Sequence, residues 1–230
     1  MKTVGIIGGI APESTIEYYR KIVESYLERH GTGHYPQIVI NSIDMKKMLD
    51  LIGDGKLEEV TDYLGAEVKK LEKAGADFGV LASNTPHVVF DNVRQRSQLP
   101  LISIVEVTCN KIAEIGLQKV ALFGTKFTMQ GGFYSGVLSK SSIEVVIPEE
   151  ADQDFIHAKY MHELVKGIIL DETRSNLLNI VNKMQADHNI QGLILGGTEL
   201  PLILKADDVN DIHVFDTTEI HVASILNALL

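Results

Sequence analysis

Short apolar runs that stop abruptly at small residues constrain this chain more than any other feature. Val4 to Ile7 ends at Gly8-Gly9, and Phe78 to Leu81 ends at Ala82-Ser83-Asn84-Thr85-Pro86-His87. Val120 to Phe123 ends at Gly124-Thr125, and Leu193 to Leu195 at Gly196-Gly197-Thr198-Glu199. Runs with no polar residue at alternate positions read as strands buried on both faces, the habit of parallel sheets covered by helices. Between them lie segments of helical character. Pro12-Glu13-Ser14-Thr15 opens one that reaches His30, with Pro and an acid suited to the free amides of a first turn. Val60, Leu64, Val68 and Leu71 stripe another over 57–74, closed by Gly75. Strand and helix in alternation make an α/β fold. Ligands of such folds gather at the carboxyl ends of strands, so the runs ending at Ser83 and Gly197 are the first places to look.

The second half replays the first. Val4-Gly5-Ile6-Ile7-Gly8 matches Val120-Ala121-Leu122-Phe123-Gly124 at an offset of 116, from 4 to 120. Gly79-Val80-Leu81 matches Gly192-Leu193-Ile194, and Leu101-Ile102-Ser103 matches Val214-Phe215-Asp216, each at an offset of 113 (79 to 192, 101 to 214). Near-equal offsets in order point to duplication. The expected fold class is therefore α/β with two pseudo-symmetric lobes, each a mostly parallel sheet flanked by helices, and a site in the cleft they share. Residues 1–98 with 209–230 form the first expected lobe and 99–208 the second. Other expected elements are strands over 37–42, 100–104, 119–124, 143–147 and 213–215. Helices are expected over 87–96, 105–115, 152–166 and 172–188, with a terminal helix to Leu230. Residues 44–55 read as a connection, and Thr173 and Asp216 as helix caps.

Composition removes several function classes. The chain has 230 residues, enough for one large domain or two small lobes. Its net charge of −10 argues against a nucleic-acid partner, which needs a basic face. No apolar run approaches the roughly 20 residues needed to span a bilayer, so no membrane partner is expected. Met1-Lys2-Thr3 runs straight into a strand and leaves no room for a signal peptide. The single cysteine, Cys109, has no internal disulfide partner, and a cytoplasmic setting is expected. The eight histidines lack metal-ligand spacing, so no metal site is expected. Gly5-Ile6-Ile7-Gly8-Gly9 misses the G-x-G-x-x-G spacing of a dinucleotide loop, although Asp44 loosely imitates a ribose-binding acid.

Taken together, Gly5-Ile6-Ile7-Gly8-Gly9 with Pro12-Glu13-Ser14-Thr15 and Tyr18-Tyr19, Ser83-Asn84-Thr85-Pro86-His87, Phe123-Gly124-Thr125, Gly196-Gly197-Thr198-Glu199 and Phe215-Asp216-Thr217 resemble, in order and over almost the whole length, the aspartate/glutamate racemase family of cofactor-independent amino-acid racemases. The resemblance implies two α/β lobes, a small amino acid as substrate, no cofactor and a homodimer. It also implies two thiols acting on opposite faces of the substrate α-carbon, one removing a proton and one delivering it. A thiol suits both tasks because its pKa of about 8.5 lies near neutrality. The two thiol positions fall on Ser83 and Gly197, and neither is cysteine. Cys109 matches neither position. The resemblance further implies substrate contacts from Ile10, Asn84, Thr85, Thr125, Thr198 and Lys166, with Lys46 or Lys47 facing a side-chain carboxylate. Glu199 and His87 follow the two strand ends and are the remaining acid/base candidates.

Each residue also has a plainer reading. Ser83 serves as a small cap, since a serine hydroxyl without a base is a poor proton carrier. His87 is a packed histidine, Lys166 a charge at a helix end, Cys109 a core residue, and Gly196-Gly197 a point of close backbone approach. Two functions stay open on the sequence alone. One is an isomerase of small acidic or polar amino acids whose chemistry is altered by the absent thiols. The alternative is a catalytically silent binder of amino acids or dicarboxylates with the same fold.

Overall fold

Every apolar run becomes a parallel strand. The computed structural model describes residues 2–31, 33–209 and 211–230. Met1 and Thr32, expected at the lead into the first strand and in the break after the first helix, lie outside them. The chain divides into two units, Met1–Ile104 with His221–Leu230, and Val105–Ile220. In chain order the elements are β1 (Thr3–Gly8), α1 (Pro12–His30), β2 (Gln37–Ser42), α2 (Met45–Gly53), α3 (Leu57–Lys73), β3 (Phe78–Leu81), α4 (Phe90–Arg96), β4 (Leu101–Ile102) and α5 (Ile104–Ile115). There follow β5 (Lys119–Gly124), α6 (Lys126–Gln130), α7 (Phe133–Leu138), β6 (Glu144–Val146), α8 (Glu150–His162), α9 (Asp171–His188), β7 (Gly192–Gly196), α10 (Leu200–Ile203), β8 (His213–Asp216) and α11 (Thr217–Leu229).

The first sheet has the order β2-β1-β3-β4 and the second β6-β5-β7-β8, all parallel. The two orders are the same, as duplication requires. The inner strands are buried almost throughout, whereas edge strands β2 and β6 are mostly part-exposed. Register refines the internal match. Ile7 pairs with Leu81 in the first sheet, and Phe123 with Leu195 in the second. Leu81 thus corresponds to Leu195, an offset of 114 rather than 113. Ser83 and Gly197, also 114 apart, become equivalent positions just past the ends of β3 and β7.

Successive side chains of the first sheet go to opposite faces. Val4, Ile6 and Val80 meet Tyr18 and Ile22 of α1 and Ile225 of α11, while Ile7 and Leu81 meet Leu64 and Val68 of α3. In the second sheet Ala121, Phe123, Leu193 and Leu195 meet Ile156 and Tyr160 of α8 and Leu177 and Val181 of α9. One polar strap runs through the first unit. The Tyr18 hydroxyl lies 2.8 Å from His221 Nδ1, and His221 Nε2 lies 3.2 Å from the Ile102 carbonyl. The carbonyl only accepts, so Nε2 carries the proton and Nδ1 accepts from Tyr18. Tyr18→Phe is expected to lower stability by about 1–2 kcal/mol, read as an earlier urea midpoint with an unchanged slope.

Several expectations change. Residues 44–55 are not a plain connection, because Met48 and Ile52 bury one face of α2 and the Asp44 side chain accepts from Lys47 N at 3.2 Å as its cap. The strand expected over 100–104 shortens to Leu101–Ile102, since α5 starts at Ile104. The helix expected over 87–96 is a 3-10 turn, Thr85–Val89, followed by α4. The units part after Ile104 and Ile220 rather than after 98 and 208. β4 pairs with β3 and β8 with β7, so 99–104 stays with the first sheet and 209–220 goes with the second. Asp216 caps α11, accepting from Thr218 N and Glu219 N. Thr173 is no cap: it lies inside α9 and donates to Glu163 Oε2 at 2.5 Å. Among the described residues no helix is long and apolar enough to cross a membrane.

Candidate active site

In the first unit, β3 ends at Leu81 and the chain turns through Ser83, Asn84 and Thr85 into the 3-10 turn. Asn84 is buried; Ser83 and Thr85 keep part of their surface. His87 stitches this turn to the next element. Its Nδ1 lies 3.0 Å from the Ser83 carbonyl and its Nε2 accepts from Ile104 N at 3.2 Å, where α5 begins. The ring stacks on Phe90 at 4.7 Å. Burial above all, then His221, pulls its pKa down to about 3. His87 is therefore a neutral imidazole with its proton on Nδ1 and both nitrogens engaged by backbone. It cannot take a proton from the Ser83 hydroxyl while so held, and its geometry is that of a brace.

The equivalent end in the second unit is built differently. β7 runs out at Gly196, and Gly197 is buried against the ring of Tyr160 from α8. A Cβ at Gly197 would stand 2.5 Å from Tyr160 Cε2 and 2.8 Å from its hydroxyl oxygen. Glycine is needed here for room, not for an unusual backbone angle. The Tyr160 hydroxyl donates a short hydrogen bond to Glu199 Oε2, and the Thr198 hydroxyl donates to the same oxygen at 2.7 Å. Burial, then the charge of Glu199, holds the Tyr160 phenol well above its ordinary range. Glu199 is itself buried and makes no ion pair among the described residues.

The remaining candidates spread over both units. Ile10 is buried beyond the end of β1. There Gly8 lets the chain pass close to α1, a Cβ on it lying 2.6 Å from the Thr15 hydroxyl, which accepts from Gly9 N at 2.8 Å. Thr125 caps α6, accepting from Thr128 N at 3.2 Å. Lys166 closes the short turn Leu164–Lys166, which packs against α10; it is exposed and has no ion pair among the described residues. Lys46 is paired to Asp50 at 2.6 Å, and Lys47 lies 4.4 Å above the ring of Tyr63. Both flank a surface hollow of about 390 Å³. Helix dipoles are a weak aid to a carboxylate here, because the turn after Asn84 and α10 after Glu199 are only five and four residues long.

Tyr160 is the residue that sequence reasoning misses. It shares a buried stripe with Gln153 and Ile156 on α8, which reads as ordinary core. The one hint is indirect: a glycine where the family resemblance implies a side chain means that something else fills the space.

Fold and site define a duplicated parallel α/β protein in which matching strand ends of both sheets close on small polar residues. A family model described as Asp/Glu/Hydantoin racemase matches residues 7–225, and the chain belongs to that family. A Yersinia pestis protein thought to be an Asp/Glu racemase has a crystal structure that covers all of this chain and 99% of its own, at 35% identity and a TM-score of 0.92. An aspartate racemase homologue from Pyrococcus horikoshii OT3 has the same coverage, with 36% identity and a TM-score of 0.88. The broad specificity amino-acid racemase RacX of Bacillus subtilis (strain 168) is 30% identical over 156 residues. That match spans 62% of this chain and 63% of RacX, less than two thirds of that relative.

Proposed function

We propose that this protein exchanges and inverts the α-hydrogen of a small acidic or polar amino acid without a cofactor, using residues at its two equivalent strand ends. The observation that carries the reading is that equivalence. Ser83-Asn84-Thr85 and Gly197-Thr198-Glu199 occupy the same place in two sheets of the same order, within a chain that belongs to a racemase family. The name of the Bacillus subtilis relative supports an amino acid as substrate. Asn84, Thr85 and Thr198 supply hydroxyl and amide groups for the α-carboxylate and ammonium. With His87 committed to backbone, Ser83 binds rather than carries protons. A homodimer in the cytoplasm completes the proposal on the strength of the family resemblance.

The test is ¹H NMR of L-Asp, L-Glu, L-Asn, L-Ser and other amino acids in D₂O, with chiral chromatography of the same samples. Loss of the α-hydrogen signal and growth of the D-enantiomer are expected for at least one of them. A full panel with no exchange above blank sinks the proposal, and calorimetric binding without exchange would show a silent binder instead. Lys166, exposed on the turn that packs against α10 and without an ion pair among the described residues, is proposed to meet the side-chain carboxylate of acidic substrates. Lys166→Ala is expected to raise KM for Asp and Glu about tenfold, the ~1.4 kcal/mol of one charge-assisted contact, and to leave neutral amino acids unaffected.

A further inference from the structure

We propose that Tyr160 and Glu199 form a proton relay at Gly197, the phenol oxygen meeting the substrate α-hydrogen and the carboxylate receiving the displaced phenol proton. The inference rests on the racemase reading above and names the residues that replace one of its implied thiols.

Three observations converge on it. The first is placement: a Cβ on Gly197 would stand 2.5 Å from Tyr160 Cε2 and 2.8 Å from the Tyr160 hydroxyl oxygen. A polar hydrogen-bearing atom thus stands beside the place of a side chain at 197. The second is the partner. The phenol donates to a carboxylate that also holds the Thr198 hydroxyl. The third is cost. Glu199 is buried and faces no cation among the described residues, an arrangement that a glutamine would make cheaper if the only task were to hold Tyr160. A carboxylate retained there can do what an amide cannot, which is accept a proton.

The step balances without a phenolate. As the Cα–H bond breaks, its electron pair stays on the substrate and spreads into the α-carboxylate. The phenol oxygen takes that hydrogen as a proton while its own proton passes to Glu199 Oε2. Tyr160 ends as a phenol and Glu199 as a carboxylic acid. Reprotonation is the reverse: Glu199 returns its proton to Tyr160 as Tyr160 gives one to the α-carbon. Because the phenol resists ionisation, a concerted passage through it is favoured over a stepwise one.

The test compares wild type, Tyr160→Phe and Glu199→Gln by the rate of α-hydrogen exchange in D₂O, with calorimetric Kd for the same amino acid and thermal melting as controls. Phenylalanine keeps the ring against Gly197, and glutamine keeps an acceptor for the phenol. Both variants are expected to bind within about threefold of wild type and to exchange about 10²–10⁴-fold more slowly. Exchange within threefold of wild type in Tyr160→Phe overturns the relay and leaves the racemase reading standing. If that variant does not fold, undiminished exchange in Glu199→Gln overturns it equally. Absence of exchange in wild type itself removes the reading and the relay together.

Discussion

Gly197→Cys, which on paper restores a thiol, is expected to give a less stable and less active protein, with a loss of about 3 kcal/mol. The Cβ alone would sit 2.5 Å from Tyr160 Cε2 and 2.9 Å from Cζ, and the sulfur has still to be placed. Tyr160 cannot swing aside cheaply, because its ring belongs to the core shared with Phe123, Leu177 and Leu195. Overpacking of this kind typically costs 1–3 kcal/mol. Gly197→Ala separates sterics from chemistry: it should cost nearly as much, since the first atom already collides. Pairing either substitution with Tyr160→Ala should reveal a coupling of about 1–3 kcal/mol in the favourable direction, because the two residues share one space. Denaturant midpoints of the four proteins measure this. Additive effects would mean that Tyr160 and Gly197 do not compete for the same volume.

The second large effect is on acid stability. Burial, with smaller help from His221 and Arg94, lowers His87 to about 3, and burial alone lowers His221 to about 4 against the opposing pull of the Ile102 carbonyl, where an ordinary histidine has 6.5. Between those limits the unfolded chain binds protons that the folded chain refuses. Stability therefore rises with pH through the window and is lost as pH falls below about 6.5. Each histidine approaches a slope of roughly 1.4 kcal/mol per pH unit there, so the pair is expected to cost about 2.4 kcal/mol between pH 6 and pH 5. Carboxylates held by ion pairs add their losses only at lower pH. Urea titrations at pH 7, 6 and 5 read the slope directly. His221→Gln, which keeps side-chain donors and acceptors near Tyr18 and Ile102, should halve it even if it lowers stability at pH 7. A flat profile from pH 7 to 5 would contradict neutral, buried histidines at both positions.

Much of the architecture could be read from the residues because local and global preferences agree. The inner strands are unbroken apolar runs, and α1 carries its Pro12 start and its basic last turn, so each declared itself. α2 is less legible, since glycines at 53 and 55 and adjacent lysines weaken the helical signal of the Met48–Ile52 spacing that buries its face. The offset of β3 and β7 misled by one residue because apolar strands match one another in several registers; hydrogen bonding settles on 114. At the candidate site, the motifs located the two strand ends but not what the side chains do there. His87 beside a serine invites a catalytic pairing, and only the bonds to Ser83 O and Ile104 N show that its nitrogens are spoken for. Tyr160 is 37 residues from Gly197 in sequence, and no short-range pattern connects a core tyrosine to a glycine across a strand end.

A single D₂O experiment on purified wild type and Tyr160→Phe puts most of this at risk. The α-¹H signal of a bound amino acid should fade with wild type and persist about a hundredfold longer or more with the variant, at comparable calorimetric affinity. Equal fading in both samples, or persistence in both, would contradict proton traffic through the phenol at the second strand end.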